Sequence, residues 1–185
     1  MKLGARNGKA VMAYRDLAAA MFAALMLFAG SGVAAADQAI SPSAVANQHL
    51  VVSLGGKVKH PQQLSLDALE KLPAEQVNVS YQAGRGLEEA NFTGVLLWRL
   101  LDEAGGIDDS TKRAELRHVV RITGRDGYLV VISTGEIAPD FGGKPALLAY
   151  RRNDEVPAET GFRLVMPGDK HGGRYVRDVV SIEVE

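Results

Sequence analysis

From residue 49 onward the apolar positions change period several times. His49 to Val58 (HLVVSLGGKV) reads as a hairpin or bent strand around Gly55-Gly56. Ser65 precedes LDALEKL, whose Leu66, Leu69 and Leu72 share one face, so a short serine-capped helix is predicted. Val77, Val79 and Tyr81 alternate with polar residues, the signature of a half-buried strand, here ending at Gln82. Thr93 then reads as the cap of a second helix, GVLLWRLLDEA. Its stripe is Leu97, Leu100, Leu101 and Ala104, and Gly105-Gly106 stops it.

The second half is richer in strands. His118 to Thr123 and Tyr128 to Ser133 flank Gly124-Arg125-Asp126-Gly127, a strong hairpin signal. Ala146 to Tyr150 and Phe162 to Met166 are further strands, separated by the turn-like Arg151-Arg152-Asn153-Asp154, and Val179 to Val184 is the last. Short helices among many strands predict an α+β domain with a mixed or antiparallel sheet.

The first 36 residues follow another logic. Lys2, Arg6, Lys9 and Arg15 make a basic lead, Leu17 to Ala29 is an apolar run of 13, and Ala34-Ala35-Ala36 offers a small-x-small cleavage pattern before Asp37. A membrane span needs roughly 20 apolar residues, and this run reaches Gly30-Ser31-Gly32 first. It therefore reads as a cleaved secretory signal peptide. Asp37 to Gln48 follows as a polar lead-in, and one domain occupies 49–185, with no low-complexity linker and no internal repeat.

Composition narrows the chemistry. Of 185 residues none is cysteine, which excludes disulfides, thiolate metal sites, cysteine nucleophiles and lipid anchors on cysteine. Removing the leader takes away four basic residues and one acid, leaving 149 residues with 17 Lys and Arg against 21 Asp and Glu. A formal charge of −4 without basic stretches interleaved with aromatics argues against nucleic acid as a partner. There is no Gly-x-Ser-x-Gly elbow, and His49, His60 and His118 adjoin no carboxylate or second histidine that would suggest a metal site. No catalytic or metal-ligating set emerges.

The informative stretch is Met166 to Arg177 (MPGDKHGGRYVR). A strand runs into Pro-Gly, then a polar loop with a second glycine pair, then alternating basic and aromatic residues. Such glycines let backbone N–H groups approach a ligand, and Lys170, Arg174 and Arg177 suit an anionic or carbonyl-rich one. A tight loop with solvated charges fits the spacing equally well. Trp98 suits ring stacking or core-edge packing, and Tyr128 is placed to reach a cleft or to pack.

Gly55–Val58, Leu64-Ser65-Leu66-Asp67-Ala68-Leu69, Phe92-Thr93-Gly94-Val95-Leu96-Leu97, Asp126-Gly127-Tyr128, Leu147-Leu148-Ala149-Tyr150 and Arg163-Leu164-Val165-Met166-Pro167-Gly168 occur in this order. Together with the following Gly-Gly-Arg-Tyr-Val-Arg, the succession resembles the oxidoreductase molybdopterin-binding domain of sulfite oxidases and periplasmic methionine-sulfoxide reductases. The resemblance implies a sulfite-oxidase-like α+β fold with a deep pterin cleft. In the enzymes an early cysteine ligates molybdenum in a Cys-Ala-Gly-Asn context, whereas here the run is Gln82-Ala83-Gly84-Arg85. A neutral amide oxygen does not replace a soft anionic donor.

What the resemblance implies is pterin recognition without molybdenum redox chemistry. Gly168 to Arg177 maps onto the family's pterin loop, with its backbone, Gly168 and Gly173 included, and Arg174 holding the ring. Asp169, Lys170 and His171 would line the mouth, Gln82 would hydrogen-bond the ligand, and Arg85, Trp98, Tyr128 and Arg177 would complete the wall. Cysteine-free exported relatives look like periplasmic pterin-binding proteins. They bind a free reduced pterin and signal to the periplasmic part of a membrane enzyme that makes or degrades cyclic-di-GMP. The alternative is an oxidoreductase that holds the molybdenum cofactor without a cysteine ligand, and a third reading is an interaction domain whose cleft has collapsed.

Overall fold

Residues 50–156 and 161–185 are described in a computed structural model of the chain; the leader, the lead-in and His49 lie outside them. β1 (Val51–Gly56), β2 (Gln62–Ser65), β5 (Val119–Gly124), β6 (Leu129–Ser133) and β9 (Val179–Val184) build a five-stranded sheet in the order β2-β1-β9-β5-β6. It is mixed, because β1 and β9 run parallel while its other pairs are antiparallel. β3 (Glu75–Ala83), β4 (Gly86–Leu96), β7 (Leu147–Arg152) and β8 (Arg163–Val165) form a second sheet, antiparallel throughout. Among the described residues three short α-helices, α1 (Leu66–Leu69), α2 (Leu97–Glu103) and α3 (Thr134–Ile137), complete an α+β architecture. Among the described residues no helix is long and apolar enough to cross a membrane.

The inward positions of both sheets meet in one apolar cluster. Val52, Leu54, Val120, Ile122 and Ile182 come from the mixed sheet, and Phe92, Val95, Leu147, Leu148 and Leu164 from the other, with Leu97, Leu100 and Leu101 of α2 added. Burying each such side chain contributes about 1.5–3 kcal/mol, which gives this cysteine-free domain a core large enough to stand without cross-links.

Most predicted elements form. The Ser65 hydroxyl accepts the Ala68 N–H at 3.2 Å and caps α1. The hairpin around 124–127 forms as β5 and β6, and the strands expected near 146–150, 162–166 and 179–184 are β7, β8 and β9.

One open reading is settled and one expectation corrected. Of the hairpin and the strand read around Gly55-Gly56, the strand forms: β1 runs through both glycines beside Glu183 and Val184 of β9, and the chain reverses only afterwards, into β2. The helix expected from Thr93 begins at Leu97, and its N-cap, Leu96, offers no side-chain hydrogen bond. Residues 93–96 belong to β4, because β7 hydrogen-bonds them more favourably than an isolated helical turn would.

One irregularity in that pairing shapes the site. The register of β4 and β7 shifts between Thr93 and Gly94, so that Phe92 faces Arg152 while Gly94 faces Ala149. Arg152 and Ala149, three positions apart, thereby share one face of the sheet, as a bulge permits. Glycine is required at the shift, since a Cβ on Gly94 would collide with the Leu148 carbonyl oxygen.

Candidate functional site

Tyr81 on β3 and Glu88 on β4 are register partners, so their side chains project from the same sheet face. Phe92 lies farther along β4 on that face, opposite Arg152, and Arg163 of β8 stands opposite Ala149. Four strands therefore deliver Tyr81, Glu88, Phe92, Arg152 and Arg163 to one place.

Their contacts form a chain. The Arg163 guanidinium donates to the Tyr81 hydroxyl (3.1 Å), which donates to Glu88 Oε2 (2.8 Å), and Arg152 reaches the same oxygen at 3.4 Å. Arg163 also lies over the rings of Phe92 (5.6 Å) and Tyr175 (5.9 Å), and Arg152 over Phe92 (5.9 Å). Hydrogen bonding from Tyr81, then the charges of Arg152, Arg163 and Arg177, hold the Glu88 carboxyl below its ordinary range. Burial lowers Arg163, an effect deepened by Arg177 and Arg152, though a guanidinium remains charged. The Nε atoms of Arg152 and Arg163 are both buried with no hydrogen-bond partner.

Glu88, Phe92, Arg152 and Arg163 wall a cavity of about 440 Å³, together with Ala83, Gly84, Arg85, Ala149, Arg151 and Arg177. A second cavity, of about 410 Å³, shares Ala83, Gly84, Arg163 and Arg177 with it. Its own wall is Tyr81, Gln82, Asp126, Tyr128, His171, Gly172, Gly173 and Tyr175. One cleft thus has two lobes, an arginine lobe and a lobe of tyrosines and glycine-rich backbone. Both volumes are in the range of small-molecule sites.

The loop after β8 closes the second lobe. The Gln82 N–H donates to the Lys170 carbonyl at 2.8 Å, and Gln82 bridges His171 in parallel fashion, so the loop extends the edge of β3. Gly172 lies against the Tyr81 ring, where a Cβ would come within 3.0 Å of two ring carbons. Tyr81 in turn stacks on Tyr175 with centroids 4.1 Å apart. Burial, followed by the neighbouring Tyr81 and Asp169, pushes the Tyr175 hydroxyl up to about 12, so it stays protonated and donates to the Met166 carbonyl. Tyr128 spans the loop from the other side, its hydroxyl donating to the Gly173 carbonyl at 2.6 Å.

The residues singled out in the sequence separate into three groups. Gln82, Tyr128, His171, Gly173 and Arg177 line the second lobe, and Arg85 and Arg177 line the arginine lobe. Asp169 and Arg174 line neither. They form a two-pronged ion pair (2.6 and 2.7 Å), which Lys144 joins through Asp169 (2.7 Å) and Glu136 through Arg174 (3.0 Å). Gly168 and Lys170 also lie outside both linings. Trp98 is placed elsewhere, on α2, beside Leu101, Asp109 and Glu115.

Sequence reading missed Tyr81, Glu88, Phe92, Arg152 and Arg163. Arg163 carried a signal, as a charge within the apolar stretch Phe162 to Met166; the others show only once four strands are assembled.

The donors present decide which metal chemistry the cleft suits. The chain has no cysteine, and no group of three or more His, Asp or Glu side chains able to hold a metal occurs among the described residues. Gln82 offers only an amide at the position that the resemblance assigns to the molybdenum ligand. Thiolate-ligated molybdenum does not fit this donor set.

Comparison with known proteins agrees with the fold. The sulfane dehydrogenase SoxCD from Paracoccus pantotrophus is similar in structure, with a TM-score of 0.60 at 20% sequence identity, over 75% of this chain. The match spans only 38% of the SoxCD chain. No curated protein matches the sequence significantly. The profile described as "Oxidoreductase molybdopterin binding domain" matches residues 39–185. With that span, and with the sulfite-oxidase-like fold behind it, this chain belongs to the oxidoreductase molybdopterin-binding domain family.

Proposed function

We propose that the protein is a pterin-binding receptor, exported to the periplasm, that carries no molybdenum redox activity. The observation that carries this reading is Gln82 in the wall of the second lobe, where an amide able to hydrogen-bond a ligand stands at the position that the resemblance gives to a thiolate. A pterin is a flat ring with donors and acceptors along its edge, and it requires a narrow slot with polar groups aimed inward. The second lobe offers His171, Gly172 and Gly173 on a loop fixed to β3, and Tyr128 as its far wall. No side chain of the cleft supplies an electron acceptor, so binding rather than turnover is the role that suits it.

Export is supported by the basic, apolar and small-residue succession over residues 1–36. A receptor in that compartment needs an output. The family resemblance supplies one, the periplasmic part of a membrane-bound enzyme that makes or degrades cyclic-di-GMP.

The test begins with the protein purified from its own host. Bound small molecules are extracted and identified by fluorescence and mass, and molybdenum is measured in the same sample. A reduced pterin without metal is the expected result. Stoichiometric molybdenum would establish the oxidoreductase alternative instead. If no pterin is extracted and added reduced pterins do not bind, the reading is wrong.

A further inference from the structure

The arginine lobe contains one carboxylate. Arg85, Arg151, Arg152, Arg163 and Arg177 line it, and Glu88 is the sole acid among them. A pocket dedicated to a simple oxyanion would lose affinity by keeping a carboxylate in its wall, because like charges repel across a low-dielectric cavity. A cationic ligand is less suited still, since the arginines outnumber Glu88. The lobe suits an acceptor-rich group, and Glu88 adds one fixed acceptor for N–H donors that lie beside those acceptors.

The free hydrogen-bonding capacity of the wall has that form. Glu88 Oε2 already accepts from Tyr81 and Arg152, whereas Oε1 makes no hydrogen bond among the described residues. The Arg152 and Arg163 side chains line the same wall, while their Nε atoms are buried within the protein. Glu88 is fixed by Tyr81 and held ionised, so it is an acceptor only. The complementary ligand edge has adjacent N–H donors for the carboxylate and a carbonyl or ring nitrogen for the arginines.

We propose that Glu88 reads the amino-pyrimidinone edge of the ligand, its carboxylate accepting from the 2-amino group and the adjacent ring N–H while Arg152 and Arg163 donate to the acceptor atoms beyond them. The assignment rests on the pterin reading of the cleft and gives the ring a direction. The pyrimidinone end enters the arginine lobe, and the side-chain end points towards Gln82 and the 168–174 loop. Glu88 is then the residue that separates a pterin from a lumazine, in which a carbonyl replaces the 2-amino group.

The experiment compares binding of 7,8-dihydropterin and 7,8-dihydrolumazine to the purified protein by anaerobic fluorescence titration. The variants are Glu88→Gln and Glu88→Asp, with circular dichroism as the folding control. The wild type is expected to prefer the pterin by roughly tenfold or more, the scale of one charge-assisted hydrogen bond. Glu88→Gln should erase or invert that preference, because its amide donates to the lumazine carbonyl. Glu88→Asp should keep the preference with weaker affinity. Tight pterin binding with the same preference in Glu88→Gln would overturn the role of Glu88 and leave the pterin reading standing. If Glu88→Gln does not fold, Glu88→Asp and the wild-type preference decide: equal binding of the two ligands rejects the assignment. Binding of neither ligand by the wild type rejects both proposals, and stabilisation by inorganic phosphate alone would mark the lobe as an oxyanion site.

Discussion

Arg174 looks like a ligand-binding residue in the sequence, yet its guanidinium is committed to the protein itself. It meets Asp169 at 2.6 and 2.7 Å and Glu136 at 3.0 Å, and these pairs clamp the 168–174 loop against α3 and Lys144. Three charge-assisted bonds would be worth about 1.5–3 kcal/mol each if buried. Side-chain exposure is 34% for Arg174 and 32% for Glu136 but 14% for Asp169, so water recovers most of the loss except at Asp169.

Arg174→Ala should therefore cost about 2 kcal/mol, or about 4–8 °C in Tm for a domain of this size. Asp169→Asn should cost a similar amount. The double variant should lose little more than either alone, since both remove one interaction. Arg174 bonding, then Lys144, holds the Asp169 carboxyl below its ordinary range. A carboxyl lowered in the folded state stabilises above the unfolded value of about 4 and stops doing so as pH falls through the folded value. The gap between wild type and Arg174→Ala should accordingly narrow in acid. Thermal melts of the four proteins at pH 7 and in the acid limb decide it. Additive losses, or a gap that widens in acid, would refute the clamp. Ligand affinity in Arg174→Ala should fall only as far as the loop loosens, because the side chain lines neither lobe.

Other substitutions probe the sheet and the cleft separately. Gly94→Ala should cost more than about 3 kcal/mol in a denaturant titration, because the new methyl meets the Leu148 backbone, which can move only by breaking the β4–β7 pairing. Tyr81→Phe removes a hydroxyl that both donates and accepts. A loss of about 1–2 kcal/mol is expected, and NMR of the carboxyl should show Glu88 titrating at higher pH than in the wild type. Gly172→Ala should shift the near-ultraviolet dichroism of the stacked Tyr81–Tyr175 pair and weaken ligand binding, with little change in far-ultraviolet signal.

The elements were legible where local pattern and local pairing agree. Ser65 caps its helix, and the 124–127 turn joins neighbouring strands, because each signal and its consequence lie within a few residues. Thr93 misled because Leu97, Leu100 and Leu101 carry a true helical stripe, while the claim of β7 on residues 93–96 comes from more than 50 positions away. Gly55-Gly56 stayed open between hairpin and strand for the same reason, as the partner that makes it strand is β9. The site divides along this line. Gln82 and His171 were readable because the family pattern marks a strand end and a loop, whereas Glu88, Arg152 and Arg163 meet only through the pairing of β4, β7 and β8. The bulge that turns Arg152 towards Phe92 has no local signature apart from Gly94.

The order of strands in the mixed sheet sets a schedule for folding. β9 lies between β1 and β5, so the strand that joins the two halves of that sheet is the last described one to leave the ribosome. Until it arrives, β1–β2 and β5–β6 are separate hairpins, each with a bare edge where β9 belongs. Such edges invite pairing with other chains, and closing the long loop between β1 and β9 is slow by its topology. Holding the chain unfolded until β9 is complete would keep those edges from forming too early, and the export proposed above, as an extended chain, would meet that requirement.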